Sequence, residues 1–529
     1  MISPSDGSCD ADRVALIQRL LTPAAYPHAV AEVRLIETHI SWVFLTGNYV
    51  YKVKKPVNFG FLDFGSLERR RHFCEEEVRL NRRFAPELYL DAVPIAGPPA
   101  TARIGGDGEP IEWAVRLRQF DETSRLDRML ESGGLSPEGC VALAVELAEV
   151  QEGLEIADGT TPWGTRAAVA DAVDTTLAQL RRQRPDLGDR VDALTRRIHG
   201  RMAACEDVFE ARRRAGRVRQ CHGDLHLANL VHHEGRFLAF DSIEFSDTLR
   251  WIDVASDIAF LAMDLEARGR GDLAAFFLSS WIEAANDHQA TSVLPVYMSY
   301  RAVVRATVAA IRGTQAMAGR PPDAAAAAGA RAESDRYLAV AEQLMEDRRP
   351  VMLATSGVSG SGKTTVAGKI AAAIGGIRLR SDVERKRCFG MRPTDRPPDA
   401  AATAALYSAE VTRHTYERLA ELARLMLAYG SSVVIDAACN RRQERRILAA
   451  AAHEAGVPLV WLAIEAPEET VLARVAAREA AGTDASDASA AVVRAQLAAH
   501  EPILPEEFGR TAGGEPSERV VRLKLAGTR

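Results

Sequence analysis

Apolar residues recur along this chain at two periods, and the change from one to the other divides it into regions. Short alternating runs at Val33 to Glu37, Trp42 to Leu45 and Tyr49 to Val53 read as strands, and a helical spacing follows from Ser66 to Phe84. Pro110 to Phe120 reads as one more strand. From Leu126 to about Ala215 the 3.6-residue period dominates, broken at Gly133-Gly134 and at Pro162 to Gly164. Strands first and helices after predict a small lobe over about 1–120 and a mostly helical lobe over about 121–347. Helices continue to about Arg312; the polyalanine Ala324 to Ala328 is read as helix or exposed connector, and the helix Arg331 to Met345 runs into a charged, proline-ended linker, Glu346 to Pro350.

Beyond that linker the rhythm changes. Strands at Val351 to Thr355, Ile377 to Leu379, Val433 to Ile435 and Leu459 to Ile464 alternate with helices at Lys363 to Ile374, Tyr407 to Tyr429, Arg442 to Ala455 and Glu468 to Ala481. Such alternation predicts a parallel, doubly wound sheet covered by helices. The expected fold class is therefore two-domain: a bilobal α+β domain over 1–347, and an α/β domain over 348–529. A length of 529 residues agrees with that division.

Composition narrows the function. A net charge of −6 selects neither nucleic acid nor an anionic membrane as partner. Seven scattered cysteines without a CxxC pair argue against a disulfide framework or a zinc cluster, and no signal peptide or run of about 20 apolar residues is present, so a cytoplasmic protein is expected. Lysine is scarce: seven of the 66 basic residues, three of them in Tyr51-Lys52-Val53-Lys54-Lys55 and one at Lys363. A compact ammonium on a strand or a glycine-rich loop is a phosphate partner.

The sharpest local signal is Gly357-Val358-Ser359-Gly360-Ser361-Gly362-Lys363-Thr364, a complete GxxxxGK[ST] between an apolar strand and a helix. Gly357, Gly360, Ser361, Gly362 and Thr365 are expected to wrap phosphate oxygens, Lys363 to reach the β- and γ-phosphates, and Thr364 to offer its hydroxyl to Mg²⁺. Val433-Val434-Ile435-Asp436 ends an apolar strand on a carboxylate suited to the same metal, against the alternative of a helix cap. Asp382, in Arg378-Leu379-Arg380-Ser381-Asp382, closes the next strand and is the candidate base for an acceptor hydroxyl, again with a cap as the bland alternative. Arg474 and Arg478, four apart on one helix face before the Gly482 to Ser489 stretch, are candidate lid arginines; a solvated face is the competing account. This half resembles the P-loop kinases that include gluconate kinase, polynucleotide kinase and zeta-toxin-like kinases.

The first half carries a second constellation. Cys221-His222-Gly223-Asp224-Leu225-His226-Leu227-Ala228-Asn229 has the HxDxxxxN spacing of a kinase catalytic loop, and Asp241 follows in Phe240-Asp241-Ser242-Ile243-Glu244. Asp224 is the expected acceptor-side carboxylate, with Asn229 and Asp241 as Mg²⁺ ligands and His222 as support. Upstream, Lys52 and Glu77 form the expected strand–helix ion pair; Lys54 and Glu76 are the alternatives one step away, and a charged solvated face is the other account. The motif HGDLHLAN resembles the aminoglycoside phosphotransferase and choline kinase branch of the protein-kinase-like fold. No GxGxxG loop is present, and the turn Glu37 to Trp42 is expected to stand in for it.

Over nearly its whole length the chain resembles the bacterial bifunctional aminoglycoside phosphotransferase-like/AAA family ATPase proteins. The resemblance is carried by IETHISWVFLTGNYVYKVKKPVNFGFLDF, RRRHFCEEEVRLNRRFAPELYL, CHGDLHLANL, FDSIEF with LRWIDVASDIAFLAMDL, GVSGSGKTT and RSDVERKRCFG. It implies ATP and Mg²⁺ as cofactors and fold kinship rather than an aminoglycoside substrate. Arg250, Asp253 and Asp257 are expected to brace the loop. The resulting expectation is a kinase with two modules acting on a small-molecule hydroxyl. Its competitors are an ATP-binding regulatory switch with one silent module, and a polynucleotide or nucleotide-sugar kinase in the P-loop half, for which a basic groove would be needed.

Overall fold

The computed structural model describes residues 7–58, 60, 62–319, 321–481, 490–504 and 518–524. Contacts divide the chain into two compact units, one formed by 1–136, 149–169 and 210–261, the other by 137–148, 170–209 and 262–529.

The first unit is built on a six-stranded antiparallel sheet. Its strands are β1 (Arg34–Glu37), β2 (Ser41–Leu45), β3 (Tyr49–Lys54), β4 (Tyr89–Ala96), β5 (Arg103–Ile104) and β6 (Pro110–Arg118), in the spatial order β1-β2-β3-β6-β4-β5. Alternation on β3 assigns its two faces. Tyr51 and Val53 pack into a core with Phe44, Ile95 and Ala114, closed by Leu16 and Leu20 of the helix Gly7–Leu20. Val50 faces the other way, toward a core with Cys74 and Val78 of the helix Leu67–Asn81, and Lys52 and Lys54 share that face. That helix starts where Ser66 accepts the Arg69 N–H at 3.2 Å, the expected use of a serine before an amphipathic run. The same unit holds two hairpin-like pairs: β7 (Val218–Gln220) with β10 (Trp251–Asp253), and β8 (Leu230–His233) with β9 (Arg236–Ala239).

The second unit combines helices with a parallel sheet. Strands β11 (Met352–Ser356), β12 (Ile377–Arg380), β13 (Val433–Asp436), β14 (Leu459–Glu465) and β15 (Glu518–Lys524) run parallel in the order β12-β13-β11-β14-β15. β11 is central, and the strand order reverses beside it, which opens a crevice at its carboxyl end. Helix Lys363–Ile374 leaves that end and lies against the helix Gly271–Ala285, with Phe276 next to Gly368 and the Arg378 N–H donating to Ser279 Oγ at 3.2 Å. The polyalanine run is helical. Asp323 caps it by accepting the Ala326 N–H at 2.9 Å, so the helix starts at Ala324 and runs to Leu344, earlier than the spacing around Arg331 suggested. Seven strands escaped the pattern: β5 and β7 to β10, each only two to four residues long, β4, which contains Asp91 and Pro94, and β15, whose seven residues include only three apolar ones.

Candidate functional site

In the first unit the strand lysines converge on one carboxylate. Glu77 is wholly buried and accepts from Lys52 Nζ at 2.9 Å with Oε1 and from Lys54 Nζ at 2.6 Å with Oε2. Lys52 also pairs with Asp241, and Lys54 with Glu244. Glu76, the neighbouring alternative, turns outward to Arg79 at 2.7 Å. Burial works against the charge of Lys52, but Asp241 and Glu77 outweigh it and hold its pKa well above the ordinary lysine value. Burial likewise opposes ionised Glu77, yet the two ammonium groups bring it down to about 2. Burial pushes the Glu244 carboxyl up in spite of Lys54. A buried carboxylate with two cationic donors is a fixed strut, since removing any member strands a charge.

The catalytic-loop motif runs from β7 through a 3₁₀ turn, Leu227–Asn229, into β8. Gly223 sits at φ +86°, and a Cβ there would stand 2.8 Å from the Leu249 carbonyl, so the position requires glycine. Asp257 accepts the N–H groups of both His222 (3.0 Å) and Gly223 (2.9 Å), which fixes the backbone just ahead of Asp224. Asn229 Nδ2 donates to the Asp224 carbonyl at 3.0 Å and to its Oδ2 at 3.1 Å. His226 Nε2 lies 3.4 Å from the same Oδ2. His222 is buried, its pKa lowered chiefly by that burial, and its Nε2 meets the Phe240 carbonyl at 3.0 Å. Phe240 N–H in turn donates to the Asn229 carbonyl at 2.9 Å, which brings the Asn229 and Asp241 backbones together.

Asp241 adopts φ +64°, and its N–H donates to Tyr89 Oη at 2.9 Å. The next N–H, of Ser242, donates to Asn81 Oδ1 at 2.8 Å, while Asn81 Nδ2 donates to the Glu77 carbonyl. Asn81 therefore ties the Glu77 helix to the Asp241 turn. Asp224 and Asp241 are 37% and 47% exposed, open to ligands, whereas their supports are buried. Of the residues expected to brace this region, Asp257 holds backbone amides, Asp253 pairs with buried Arg212 at 2.6 Å, and Arg250 donates to the Glu244 carbonyl at 2.9 Å. Lys54, the alternative to Lys52, joins the cluster as a second partner of Glu77, and Tyr89, Asn81 and Glu244 complete it without having been singled out as site residues. Only the helical i, i+4 relation of Asn81 to Glu77 could have pointed to one of them.

In the second unit the P-loop opens into a cavity of about 470 Å³. Gly360, Gly362, Lys363, Thr364 and Thr365 line it together with Asp382, Asp436 and Arg474. Gly357 and Ser361 support the loop from behind. Gly357 is at φ +145° with the Ile464 carbonyl 2.4 Å from where a Cβ would sit, and the Ser361 hydroxyl is buried with no hydrogen-bond partner. Gly360 and Gly362 are also left-handed, so amides turn inward as an anion cradle needs. Lys363 Nζ donates to the Val358 carbonyl at 2.7 Å, and the Ser359 N–H donates to Gln496 Oε1 at 2.8 Å. Asp382 lies inside the helix Ser381–Arg387, which is capped by Arg380 with no side-chain bond; the alternative of Asp382 as a cap has no counterpart. Asp436 pairs in register with Arg380 across β12–β13. The Arg478 side chain and residues 482–489 lie outside the described residues. Arg380, Arg385, Arg441 and Gln496 share the cavity and were not anticipated; in a chain with 59 arginines, spacing alone does not distinguish them.

Both sites fit nucleotide and metal by their donor sets: a glycine cradle with a lysine and a hydroxyl in one, and an amide–carboxylate pair beside the part-buried Lys52 in the other. Among the described residues no helix is long and apolar enough to cross a membrane.

Residues 47–293 match the family described as phosphotransferase enzyme family, and residues 351–503 match the AAA domain. An uncharacterised protein of Mycobacterium tuberculosis is 31% identical over 505 residues, 94% of either chain, and one of Mycobacterium bovis aligns to the same extent. Among solved structures, a choline kinase from Cryptosporidium parvum is 12% identical with a TM-score of 0.38, over 59% of this chain and 90% of its own. A gluconokinase from Sinorhizobium meliloti is 23% identical with a TM-score of 0.20, over 33% of this chain and 83% of its own. The chain belongs, with the mycobacterial proteins, to a bacterial family in which an aminoglycoside phosphotransferase-like module precedes a P-loop kinase-like module, and it is a phosphotransferase of that two-module kind.

Proposed function

We propose that the chain is a double kinase, with modules over 1–347 and 348–529 that each transfer the γ-phosphoryl group of ATP to a hydroxyl of a small molecule. The observation that carries the reading is that each site gathers a carboxylate for the acceptor, a lysine for the phosphates and a separate metal-binding carboxylate: Asp224, Lys52 and Asp241 in one, Asp382, Lys363 and Asp436 in the other. In the first module Glu77 holds Lys52 toward the nucleotide phosphates, and Asp224 takes the acceptor proton while Asn229 keeps its carboxylate oriented. Asn229 and Asp241 would hold Mg²⁺ there, and Thr364 and Asp436 in the P-loop module, where the metal neutralises phosphate charge. Lys363 exchanges the Val358 carbonyl for phosphate oxygens when ATP binds, and Arg474, which lines the same cavity, faces the transferred group. The six cysteines whose side chains are described are unbridged, five of them buried, which supports action in the cytoplasm.

The test is transfer of labelled phosphate from Mg·ATP into a cell-metabolite extract by wild type, Asp224→Ala and Lys363→Ala. Loss of a different product in each variant supports two kinases. If Lys363→Ala alone matters, a second reading holds, in which the first module binds nucleotide and switches without turnover; the glycine-free hairpin turn Thr38–Ile40 between β1 and β2, where a covering loop is expected, favours it.

A further inference from the structure

Strand order gives the P-loop cavity two ends. The loop follows β11, between β13 and β14. Arg474 enters from the helix after β14, whereas Arg380, Asp382 and Arg385 come from the end of β12 and its helix, and Arg441 and Glu444 from the start of the helix after β13. With the phosphates assigned to Lys363, Thr364 and Asp436, the β12–β13 end is left for the acceptor. Three guanidinium groups face two carboxylates there, and burial pushes one of those carboxyls, Glu444, above its ordinary value.

These arginines differ in what they do. Arg385 is wall: it donates to the Leu406 carbonyl at 3.2 Å and to Thr412 Oγ1 at 3.0 Å, and lies 5.0 Å over the Tyr407 ring. Arg380 stands beside Asp436 in register, with Glu283 3.4 Å from one of its nitrogens. Arg441 is an exposed side chain at the cavity rim, its backbone N–H anchored to Glu444 at 3.1 Å. A neutral polyol would use the Tyr407, Thr412 and Tyr416 hydroxyls and the Asn440 amide of this wall, although Thr412 Oγ1 already accepts from Arg385 and Tyr416 Oη from the Cys439 N–H. A planar, permanently charged fork is suited instead to carboxylate or phosphate oxygens.

We propose that the acceptor of the P-loop module is an anionic small molecule, a hydroxyl compound already bearing a carboxylate or phosphate group, gripped by Arg441 and Arg380 so that its hydroxyl meets Asp382. This rests on the kinase reading of the same cavity. The acceptor O–H proton passes to the Asp382 carboxylate, the acceptor oxygen bonds to the γ-phosphorus, and the bond from that phosphorus to the β–γ bridging oxygen breaks, its electron pair leaving with ADP. Asp382 then returns the proton to water. The product carries one more phosphomonoester and no group is oxidised or reduced.

The experiment uses the full chain carrying Asp224→Ala, so that the P-loop module alone transfers label. A metabolite extract is divided on an anion-exchange resin into retained and unretained fractions, and part of the retained fraction is treated with phosphatase, which is then removed. Label is expected in a product from the retained fraction, and it disappears with Lys363→Ala. Survival of that product after phosphatase treatment assigns a carboxylate acceptor, and its loss a phosphorylated one. Arg441→Ala is expected to lower kcat/KM for the retained acceptor by about 10- to 100-fold, the worth of a hydrogen bond to a charged group. Arg441→Lys should recover part of that, and calorimetric Mg·ATP affinity should change less than about twofold, which also shows the variant is folded. Lys363-dependent label from the unretained fraction alone overturns the anionic acceptor and leaves the kinase reading standing, as does a rate within about twofold of the parent in both Arg441→Ala and Arg380→Gln. No Lys363-dependent label from either fraction overturns the kinase reading, and this inference with it.

Discussion

Glu77→Gln is the most informative single perturbation of the first module. The substitution keeps shape but removes the charge shared by Lys52 and Lys54, and it turns an amide N–H₂ toward one of the two ammonium groups. Its cost can be worked in two ways. The carboxyl falls from its ordinary 4.5 to about 2 on folding, and at about 1.4 kcal/mol per pH unit that difference is worth roughly 3 kcal/mol. Removing one partner of a buried ion pair costs about 3–5 kcal/mol by comparison with measured cases, so the two routes agree. The side chain is fully buried, and solvent screening does not reduce the figure. For a compact unit of this size, roughly 3 kcal/mol corresponds to a Tm lower by about 6–12 °C at pH 7.

The sign of the pH dependence follows from the depressed carboxyl. Its stabilisation is fully present above the unfolded value of 4.5 and is lost as pH falls toward about 2. Differential scanning calorimetry of both proteins should show a constant Tm gap from pH 7 to about pH 5 that narrows at lower pH, with the Gln variant the flatter curve. A gap under about 2 °C at pH 7, or two curves that stay parallel below pH 4.5, would refute the strut.

Three further outcomes are expected. Asp257→Asn leaves one of the His222 and Gly223 amide groups facing an N–H₂ instead of an oxygen, a loss of about 1–3 kcal/mol; Asp224-dependent transfer should drop by about tenfold or more while Lys363-dependent transfer is unchanged, measured with labelled ATP. Gly360→Ala forces a Cβ to within 2.8 Å of the Val471 carbonyl at φ +83°, and Mg·ATP binding at the P-loop, followed by calorimetry in the Asp224→Ala chain, should weaken by about tenfold or more. Asp382→Asn should lower kcat of the P-loop module by about 10²- to 10⁴-fold with the KM for Mg·ATP nearly constant, as expected for loss of a general base.

Much of the architecture was legible because each region obeys one period. The β3 alternation, the Ser66 cap and the apolar strands β11, β13 and β14 all agree locally with the fold they join. Apart from the short strands β5 and β7 to β10, whose few residues carry no period, the strands that escaped are those whose polar residues are satisfied at a distance. β4 carries Asp91 in its middle, which reads as a loop residue until Arg116 of β6 is placed 2.6 Å away, and its pairing shifts register at Tyr89 and Asp91. Pro94 then sits in a strand that a proline rule would exclude. β15 is charged at four of its seven positions, as a strand at the sheet's edge can be; Arg522 lies 3.7 Å from Glu465 of β14.

The site shows the same division at finer scale. A period of two places Lys52 and Lys54 on one face of β3 and cannot choose between them, and Glu76 and Glu77 are adjacent on their helix. In three dimensions the choice between lysines dissolves, because Glu77 offers two oxygens and takes both. What distinguishes the lysines is the carboxylate each meets on its far side. Lys54 is wholly buried and meets Glu244, while Lys52 meets Asp241 at the open end. Glu244 and Asp241 lie three residues apart in one turn, so the cluster is one device: a buried pair anchors the turn to the sheet, and the outer pair presents Lys52 beside Asp241. No local pattern encodes a partner some 190 residues away. It becomes visible only once the sheet, the Glu77 helix and the Asp241 turn are folded against one another, and that is why the HxDxxxxN spacing located the chemistry while the Glu244 and Asn81 contacts that support it had to be read from the structure.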